Sequence, residues 1–165
     1  MLAAAFLWLA NPNGTSLEWG LPVSLLGLGL RAWAAGHLEK DSALARSGPY
    51  THVRNPLYAG TLTVAAGFAI ASRRWELGVL FAAVFFLIYL PVVELEEQHL
   101  RSLFPEYGAY ADRVPRLIPR LATAMESAQR FRWALYLKNR EYEALVGFLA
   151  GVALLVWKAL FQPRP

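Results

Sequence analysis

Apolar runs alternate along this chain with short polar blocks, at a spacing that suits membrane helices. Four runs, at about residues 19–36, 57–71, 75–93 and 145–161, are each roughly 15 to 19 residues long, near the ~20 that cross hydrocarbon at 1.5 Å per residue. Only Ser72-Arg73-Arg74 separates the second run from the third, so residues 57–93 read as a tight helical hairpin whose two ends face the same side. Residues 1–10 are apolar but too short to span, and they lack the basic start and cleavage pattern of a signal peptide. They read as a short first helix, tilted or re-entrant, broken by Asn11-Pro12-Asn13-Gly14; a start site placed too late gives the same pattern. Past the hairpin, helix is expected from Glu94 to about Phe104, where Pro105 ends it. Residues 121–140 mix Phe131, Trp133, Leu135 and Tyr136 with Arg130, Arg132, Lys138 and Arg140, the pattern of an amphipathic stretch lying on a membrane. The expected fold is all-α, a polytopic integral membrane protein of about four to five membrane helices forming one domain over residues 1–165.

Composition strengthens the membrane reading. Of the 165 residues, 56% are hydrophobic and 17% charged, and the mean hydropathy is +0.33. Six Trp, seven Tyr and nine Phe supply rings for the two interfacial belts. Cysteine is absent, which removes disulfides, thiolate catalysis and Cys-ligated metals. The net charge of +4 sits in loops beside apolar spans, a distribution that favours anionic lipid headgroups over nucleic acid. Of the 16 Lys and Arg, Arg73, Arg74, Lys158 and Arg164 fall on one side and Arg31 within a span; all others fall opposite, on the side of both polar blocks. By the positive-inside rule that side is cytoplasmic, in what reads as a bacterial or archaeal inner membrane.

The chemistry concentrates in those two blocks. Ser47-Gly48-Pro49-Tyr50-Thr51-His52-Val53-Arg54-Asn55-Pro56-Leu57-Tyr58-Ala59-Gly60 precedes the hairpin, and Glu94-Leu95-Glu96-Glu97 follows it, trailed by Phe104, Tyr107, Tyr110 and Val114-Pro115-Arg116. The hairpin brings the two blocks to one membrane face. Glu96 and Glu97 point about 100° apart on a helix, so they cannot serve one small ligand in the same way, and a solvated helix face is the plainer account of the pair. Joined by Arg54, Asn55, Tyr50 and Tyr58, they could hold a zwitterion bearing a ribose and an aromatic base. Asn55 and Pro56 also fit an N-cap and N1 pair with no ligand at all, although a helix N-terminus with spare N–H groups attracts a carboxylate too. His37, His52 and His99 lack the spacing of a helical metal site, so no metal is expected. Arg31, inside the first long span, is expected to snorkel to the cytoplasmic surface, and His37 to end that helix.

In this order and spacing, Gly48-Pro49-Tyr50, Arg54-Asn55-Pro56-Leu57-Tyr58-Ala59-Gly60, Glu96-Glu97, Phe104, Tyr107, Tyr110 and Val114-Pro115-Arg116 to Pro119 resemble the isoprenylcysteine carboxyl methyltransferase family, within the membrane methyltransferases that include phospholipid N-methyltransferases. The resemblance covers residues 28–120; the amphipathic stretch and last helix of residues 121–165 lie outside it. It implies a cytoplasm-facing pocket for S-adenosylmethionine that opens sideways to lipid. His37, Ser42, Ala43, Leu44, Ala45, Tyr50, Asn55, Pro56, Leu57 and Tyr58 would line the cofactor and Glu96 or Glu97 close the site. Arg54 would pair the methionine carboxylate, and a glutamate its ammonium. Three positions depart from the family: Asn55 stands where His is common, Val92 and Val93 where the eukaryotic enzymes carry an arginine linked to substrate, and Pro105 where glycine is usual. The lost arginine argues against a prenylcysteine carboxylate as substrate.

Methyl transfer from a sulfonium is an in-line displacement, and alignment alone can contribute roughly 7–11 kcal/mol. A carboxylate acceptor needs no base; an amine or hydroxyl does, and Glu97 is then the candidate, ahead of Tyr58 and His52. The expected function is methyl transfer to a lipophilic or isoprenoid-like acceptor entering from the bilayer, with Glu97 and Arg54 as catalytic residues. Two other readings fit the same sequence: a membrane reductase of the sterol-reductase type, separable by nicotinamide dependence, and a non-catalytic membrane scaffold or lipid-binding protein.

Overall fold

The computed structural model describes residues 2–120 and 129–161. Among them are seven helices and no strand: α1 (Leu2–Leu9), α2 (Gly14–Ala35), α3 (Pro56–Ser72), α4 (Trp75–Leu103), α5 (Tyr107–Arg113), α6 (Trp133–Lys138) and α7 (Tyr142–Phe161), with a 3-10 turn at Gly48–Thr51. Two of these, α4 and α7, are long and apolar enough to cross a membrane, and α3 is a shorter apolar helix. Of the amphipathic stretch expected at 121–140, residues 121–128 lie outside the described residues and the remainder carries α6.

α2 begins about five residues before the apolar pattern does. Asn13 Oδ1 accepts from the Ser16 N–H at 2.8 Å and Ser16 Oγ accepts from the Asn13 N–H at 2.9 Å, a capping box that starts the helix at Gly14. The first turn is polar and therefore silent in hydropathy.

The most extensive helix contact is between α2 and α3, not within the α3–α4 hairpin. Small residues explain it. Gly20, Ser24 and Gly27 on α2 meet Gly60, Gly67 and Ala71 on α3, and a Cβ added to Gly67 would stand 2.2 Å from Ser24 Oγ and 2.5 Å from the Gly20 carbonyl oxygen. Between apolar surroundings, close backbone approach and interhelical hydrogen bonds hold helices together, since lipid competes equally for apolar side chains. Both devices operate here: Ser24 Oγ donates to the Val64 carbonyl at 3.0 Å and Ser16 Oγ to that of Ala71 at 2.8 Å.

α4 continues the hairpin arm to Leu103, with Phe104 as C-cap, as the sequence leads one to expect. Midway it widens into a π turn over Phe85–Tyr89, where the Leu90 N–H reaches the Phe85 carbonyl. Pro91 is the cause. It has no N–H for the Leu87 carbonyl, and its ring would crowd that oxygen, so the turn before it opens.

Two cations sit differently from their expected places. Arg31 does not snorkel: its Nε and Nη2 reach Glu141 at 2.6 and 3.0 Å, and its Nη1 reaches Thr61 Oγ1 at 2.5 Å and the Leu57 carbonyl at 3.3 Å. Glu141, immediately before α7, is buried, so a partner is available inside and the side chain need not run to water. Lys158, counted among the loop cations of the opposite face, is buried in the last turn of α7. Its Nζ donates to the Leu7 and Ala10 carbonyls at 2.6 Å each, satisfying the free C-terminal end of α1. That end packs Phe6 and Ala10 with Ala71, Leu77 and Leu155.

Candidate functional site

The site forms where α3 starts and α4 leaves its apolar stretch. Pro56 occupies the first turn of α3, where its missing N–H costs nothing. Asn55 is in the N-cap position, yet its side chain caps nothing. Its amide instead donates to Glu97 Oε1 at 2.8 Å and to the Arg116 carbonyl at 3.3 Å. Of the two accounts open to Asn55, the structure therefore keeps the helix boundary and gives the side chain to the polar cluster.

The segment after α5 is strapped to the same loop through its backbone. Arg54 N–H donates to the Pro115 carbonyl at 2.8 Å, Asn55 N–H to that of Arg116 at 3.2 Å, and Arg120 N–H to that of His52 at 3.1 Å. Glu97 lies at the junction, 2% exposed. Its Oε1 takes the Asn55 amide, and its Oε2 takes Arg116 Nη2 at 2.9 Å, which also reaches Glu94 at 2.7 Å. A buried carboxylate is tolerable only with such compensation. Burial pulls the Arg116 guanidinium down, but its hydrogen bonds to Glu97 and Glu94 outweigh that and raise it overall.

Arg54 is bound less completely. Its Nε is 3.6 Å from Glu97 Oε1, an ion pair too long for a hydrogen bond, and this buried N–H has no hydrogen-bond partner. A buried guanidinium donor left open costs about 1–3 kcal/mol unless something fills it.

Beside these groups is a cavity of about 220 Å³. One wall is the 38–45 loop, another is Tyr50 with Arg54 to Tyr58, and the third is the α4 face carrying Glu96, His99 and Leu100, with Tyr107 and Tyr110 of α5 closing it. Tyr58 OH donates to Glu96 Oε2 at 3.0 Å, and its ring meets Tyr89 edge-on at 6.1 Å. Tyr110 OH donates to the Tyr50 carbonyl at 2.8 Å, fixing the 3-10 turn to α5. At the mouth, His99 Nε2 stands 3.4 Å from Asp41 Oδ1. Burial above all, with a contribution from the Tyr110 phenol and from Glu96, raises the Tyr50 phenol far above its ordinary value; burial likewise raises Tyr110. Tyr107 is pushed up to about 12, by burial first and by Glu97 second. These rings act as neutral walls.

Of the residues expected at the cofactor, Ala43, Leu44, Ala45, Tyr50, Arg54, Asn55, Pro56, Leu57, Tyr58 and Glu96 line this one cavity. Three do not. His37 faces a separate cavity with Phe131 against its ring, Ser42 turns its hydroxyl to the Lys40 carbonyl on the exposed loop, and Glu97 stands behind the wall. The adjacent glutamates thus divide their tasks, as their 100° separation requires: Glu96 faces the cavity and Glu97 the buried junction. Leu38, Glu39, Lys40, Asp41, His99 and Leu100 also line the cavity and were missed. His99 and Leu100 were within reach of sequence reasoning, since they lie three and four residues past Glu96 on the same helix face.

The phospholipid methyltransferase family model matches residues 21–107, more than half of the chain, including the 38–45 loop, the start of α3 and all of α4 but ending at the first residue of α5, so the chain belongs to that family. This is the membrane methyltransferase group to which the isoprenylcysteine enzymes are related. The chain is 36% identical over 104 residues to the cobalt-zinc-cadmium resistance protein CzcN of Cupriavidus metallidurans, a match over 62% of this chain and 48% of that protein. It is 32% identical over 108 residues to the nickel-cobalt-cadmium resistance protein NccN of Alcaligenes xylosoxydans xylosoxydans, over 62% of this chain and 51% of that protein. The chain spans about half the length of the curated relatives it matches. No solved structure matches it.

Proposed function

We propose that this protein is an integral membrane methyltransferase that uses S-adenosylmethionine to methylate a lipophilic acceptor entering from the bilayer. In this reading α1, α2 and α3 join α4 and α7 as four to five membrane helices, with the 220 Å³ cavity at the cytoplasmic face of a bacterial or archaeal inner membrane. The observation that carries it is Arg54. A buried guanidinium N–H without a hydrogen-bond partner, beside a cavity lined by a carboxylate, phenols and an apolar loop, fits the methionine carboxylate of the cofactor. Glu96 fits its ammonium or an acceptor proton, and the apolar Ala43-Leu44-Ala45 loop fits the adenine. When bound, the cofactor supplies an electrophilic methyl carbon on a sulfonium, whose C–S bond breaks with its electron pair remaining on sulfur.

The chain's own residues then orient and exclude water. Glu97 holds Asn55 and the strap in register and so positions Arg54; the carboxylate able to accept a proton from an acceptor is Glu96, with Tyr58 OH fixing one of its oxygens. Val93 is buried and Val92 exposed, so that turn of α4 offers no cation for an acceptor carboxylate, and Glu96 would repel one. An amine or hydroxyl acceptor follows. A second cavity, of about 260 Å³ and lined by Leu62, Ala65, Phe81 and Phe85, ends at Tyr89 against Tyr58 and suits the acceptor's apolar tail.

Calorimetric titration of the detergent-purified protein with S-adenosylmethionine and S-adenosylhomocysteine tests the reading, with Arg54→Ala in parallel. Saturable binding that Arg54→Ala weakens at least tenfold supports it. No binding by folded wild-type protein sinks it and leaves a scaffold or a reductase.

A further inference from the structure

On the far side of Glu39 from the main cavity lies a second polar cavity, of about 160 Å³, lined by His37, Glu39, Gln129, Arg130 and Arg132. We propose that it binds the phosphate of an anionic group, in the membrane a lipid headgroup, and that occupancy is transmitted to the main cavity through Glu39. Four observations on its construction point there.

The cavity is built on a fixed support. Arg132 N–H donates to the Gly36 carbonyl at 2.9 Å, and Asn139 Nδ2 donates to the Ala35 and Leu38 carbonyls at 3.0 and 2.9 Å, so this segment is tied to the C-terminal end of α2. Phe131 lies over Gly36, where an added Cβ would come within 2.2 Å of its ring, and packs on the buried His37. The wall is cationic: Arg130 and Arg132 present two guanidiniums, the side chain suited to bidentate phosphate recognition, and among the described residues Arg130 has no ion pair. The depth fits a headgroup. Trp133 is 70% exposed next to Phe131, and Trp33 is 43% exposed one turn before His37, so amphipathic rings of the interfacial type flank the opening. Finally, Glu39 is a wall of both cavities, and its carboxylate is paired with Arg132.

A phosphate entering here competes with Glu39 for Arg132. When it wins, the carboxylate is released on the 38–45 loop that covers the main cavity. Charge and affinity are thereby linked: the anion and Glu39 cannot both hold one guanidinium in the same geometry.

The test uses the full chain in a non-ionic detergent, with native mass spectrometry counting retained dioleoylphosphatidylglycerol against dioleoylphosphatidylcholine, and a parallel arm of millimolar inorganic phosphate. The expected result is preferential retention of one phosphatidylglycerol, reduced at least fivefold by Arg130→Gln and by Arg132→Ala, and increased by Glu39→Gln, which frees Arg132. A merely structural Arg132 would not give the opposite sign at Glu39. Displacement of the lipid by inorganic phosphate assigns the site to phosphate from either source; lipid resistant to it assigns the site to the headgroup. Equal retention of both lipids, or retention indifferent to all three variants, overturns the proposal. Because the readout is lipid retention, it stands whether or not the chain binds S-adenosylmethionine. Arg130 is exposed and outside every described hydrogen bond, so Arg130→Gln keeps the test decisive if Arg132→Ala fails to fold.

Discussion

Two arginine–glutamate clusters lie at the same end of the helices and are built to different completeness. Around Arg31 every guanidinium nitrogen is engaged: Nε and Nη2 by Glu141, Nη1 by Thr61 and the Leu57 carbonyl. Around Arg54 the matching Nε is buried and open, while each oxygen of the shared carboxylate, Glu97, is already engaged, one by Asn55 and one by Arg116. The first cluster joins α2, α3 and the start of α7 and leaves no guanidinium nitrogen without a partner. The second faces a cavity and keeps one open. A closed buried cluster serves the fold, and an open one beside a cavity is where a ligand gains most, because it removes a penalty the folded protein already bears.

The largest expected effect comes from breaking the closed cluster. Glu141→Ala leaves the Arg31 cation, its side chain 23% exposed, without its carboxylate, and a loss approaching the ~3–5 kcal/mol of a fully buried pair is expected, read as a fall in the thermal midpoint in detergent. Replacing both partners, Arg31→Met with Glu141→Leu, should recover most of it, since a well-packed apolar pair often does as well as a buried ion pair. A double variant as unstable as the single one would mean that the cluster is needed for more than its own charge balance.

The sequence already showed that the Arg54 cluster exists, and it could not show the Arg31 one. Arg54, Asn55, Glu96 and Glu97 sit at helix boundaries marked by Pro56 and by the end of the apolar run, so the hairpin alone predicts their meeting. Arg31 and Glu141 are 110 positions apart, across a loop with no periodic signal, and an arginine near the end of an apolar run reads as snorkelling by default. The division between Glu96 and Glu97 was half legible. Spacing says that they diverge, but which one turns inward is decided by the strap at Val114-Pro115-Arg116, whose backbone pairing has no pattern in one dimension. The early start of α2 was hidden for another reason: a capping box is polar and interrupts the hydropathy that reveals the rest of the helix. The α2–α3 seam was present as Gly20, Gly27, Gly60 and Gly67, but small residues announce close approach without naming the partner helix.

Glu97→Gln probes the second cluster from behind. The amide keeps the shape but loses the charge shared by Arg116 and Arg54, and hydrogen bonds to charged groups are worth about 1.5–3 kcal/mol, so a loss of stability of that order is expected, read as a lower thermal midpoint. Cofactor affinity should fall with it, through the position of Arg54. Wild-type stability in Glu97→Gln would show that the strap holds 54–55 by backbone hydrogen bonds alone.

Arg54→Ala should separate the clusters most sharply. Removing an incompletely satisfied guanidinium costs the fold less than about 1 kcal/mol by the same reasoning, while loss of a charge-assisted contact lowers S-adenosylmethionine affinity at least tenfold, equivalent to about 1.4 kcal/mol. Thermal midpoint and calorimetric affinity should therefore move apart in this variant and together in Glu97→Gln.

The smallest effect, and the most local, is the titration of Tyr107. Its phenol is pushed up to about 12 by burial and then by Glu97. A phenol raised on folding stabilises the protein fully below its unfolded value near 10, and that contribution is lost as pH rises from about 10 through 12, because the unfolded chain releases the proton first. Alkaline unfolding should accordingly begin in that window. The tyrosinate absorbance assigned by difference from Tyr107→Phe should show a lower midpoint in Glu97→Gln than in the wild type, by only part of the shift, since burial remains. Glu141→Ala should leave it unchanged, as Glu141 takes no part in raising that phenol. If both carboxylate variants moved the midpoint alike, the two clusters would be one electrostatic unit, and the distinction between a closed structural pair and an open ligand-facing one would fall.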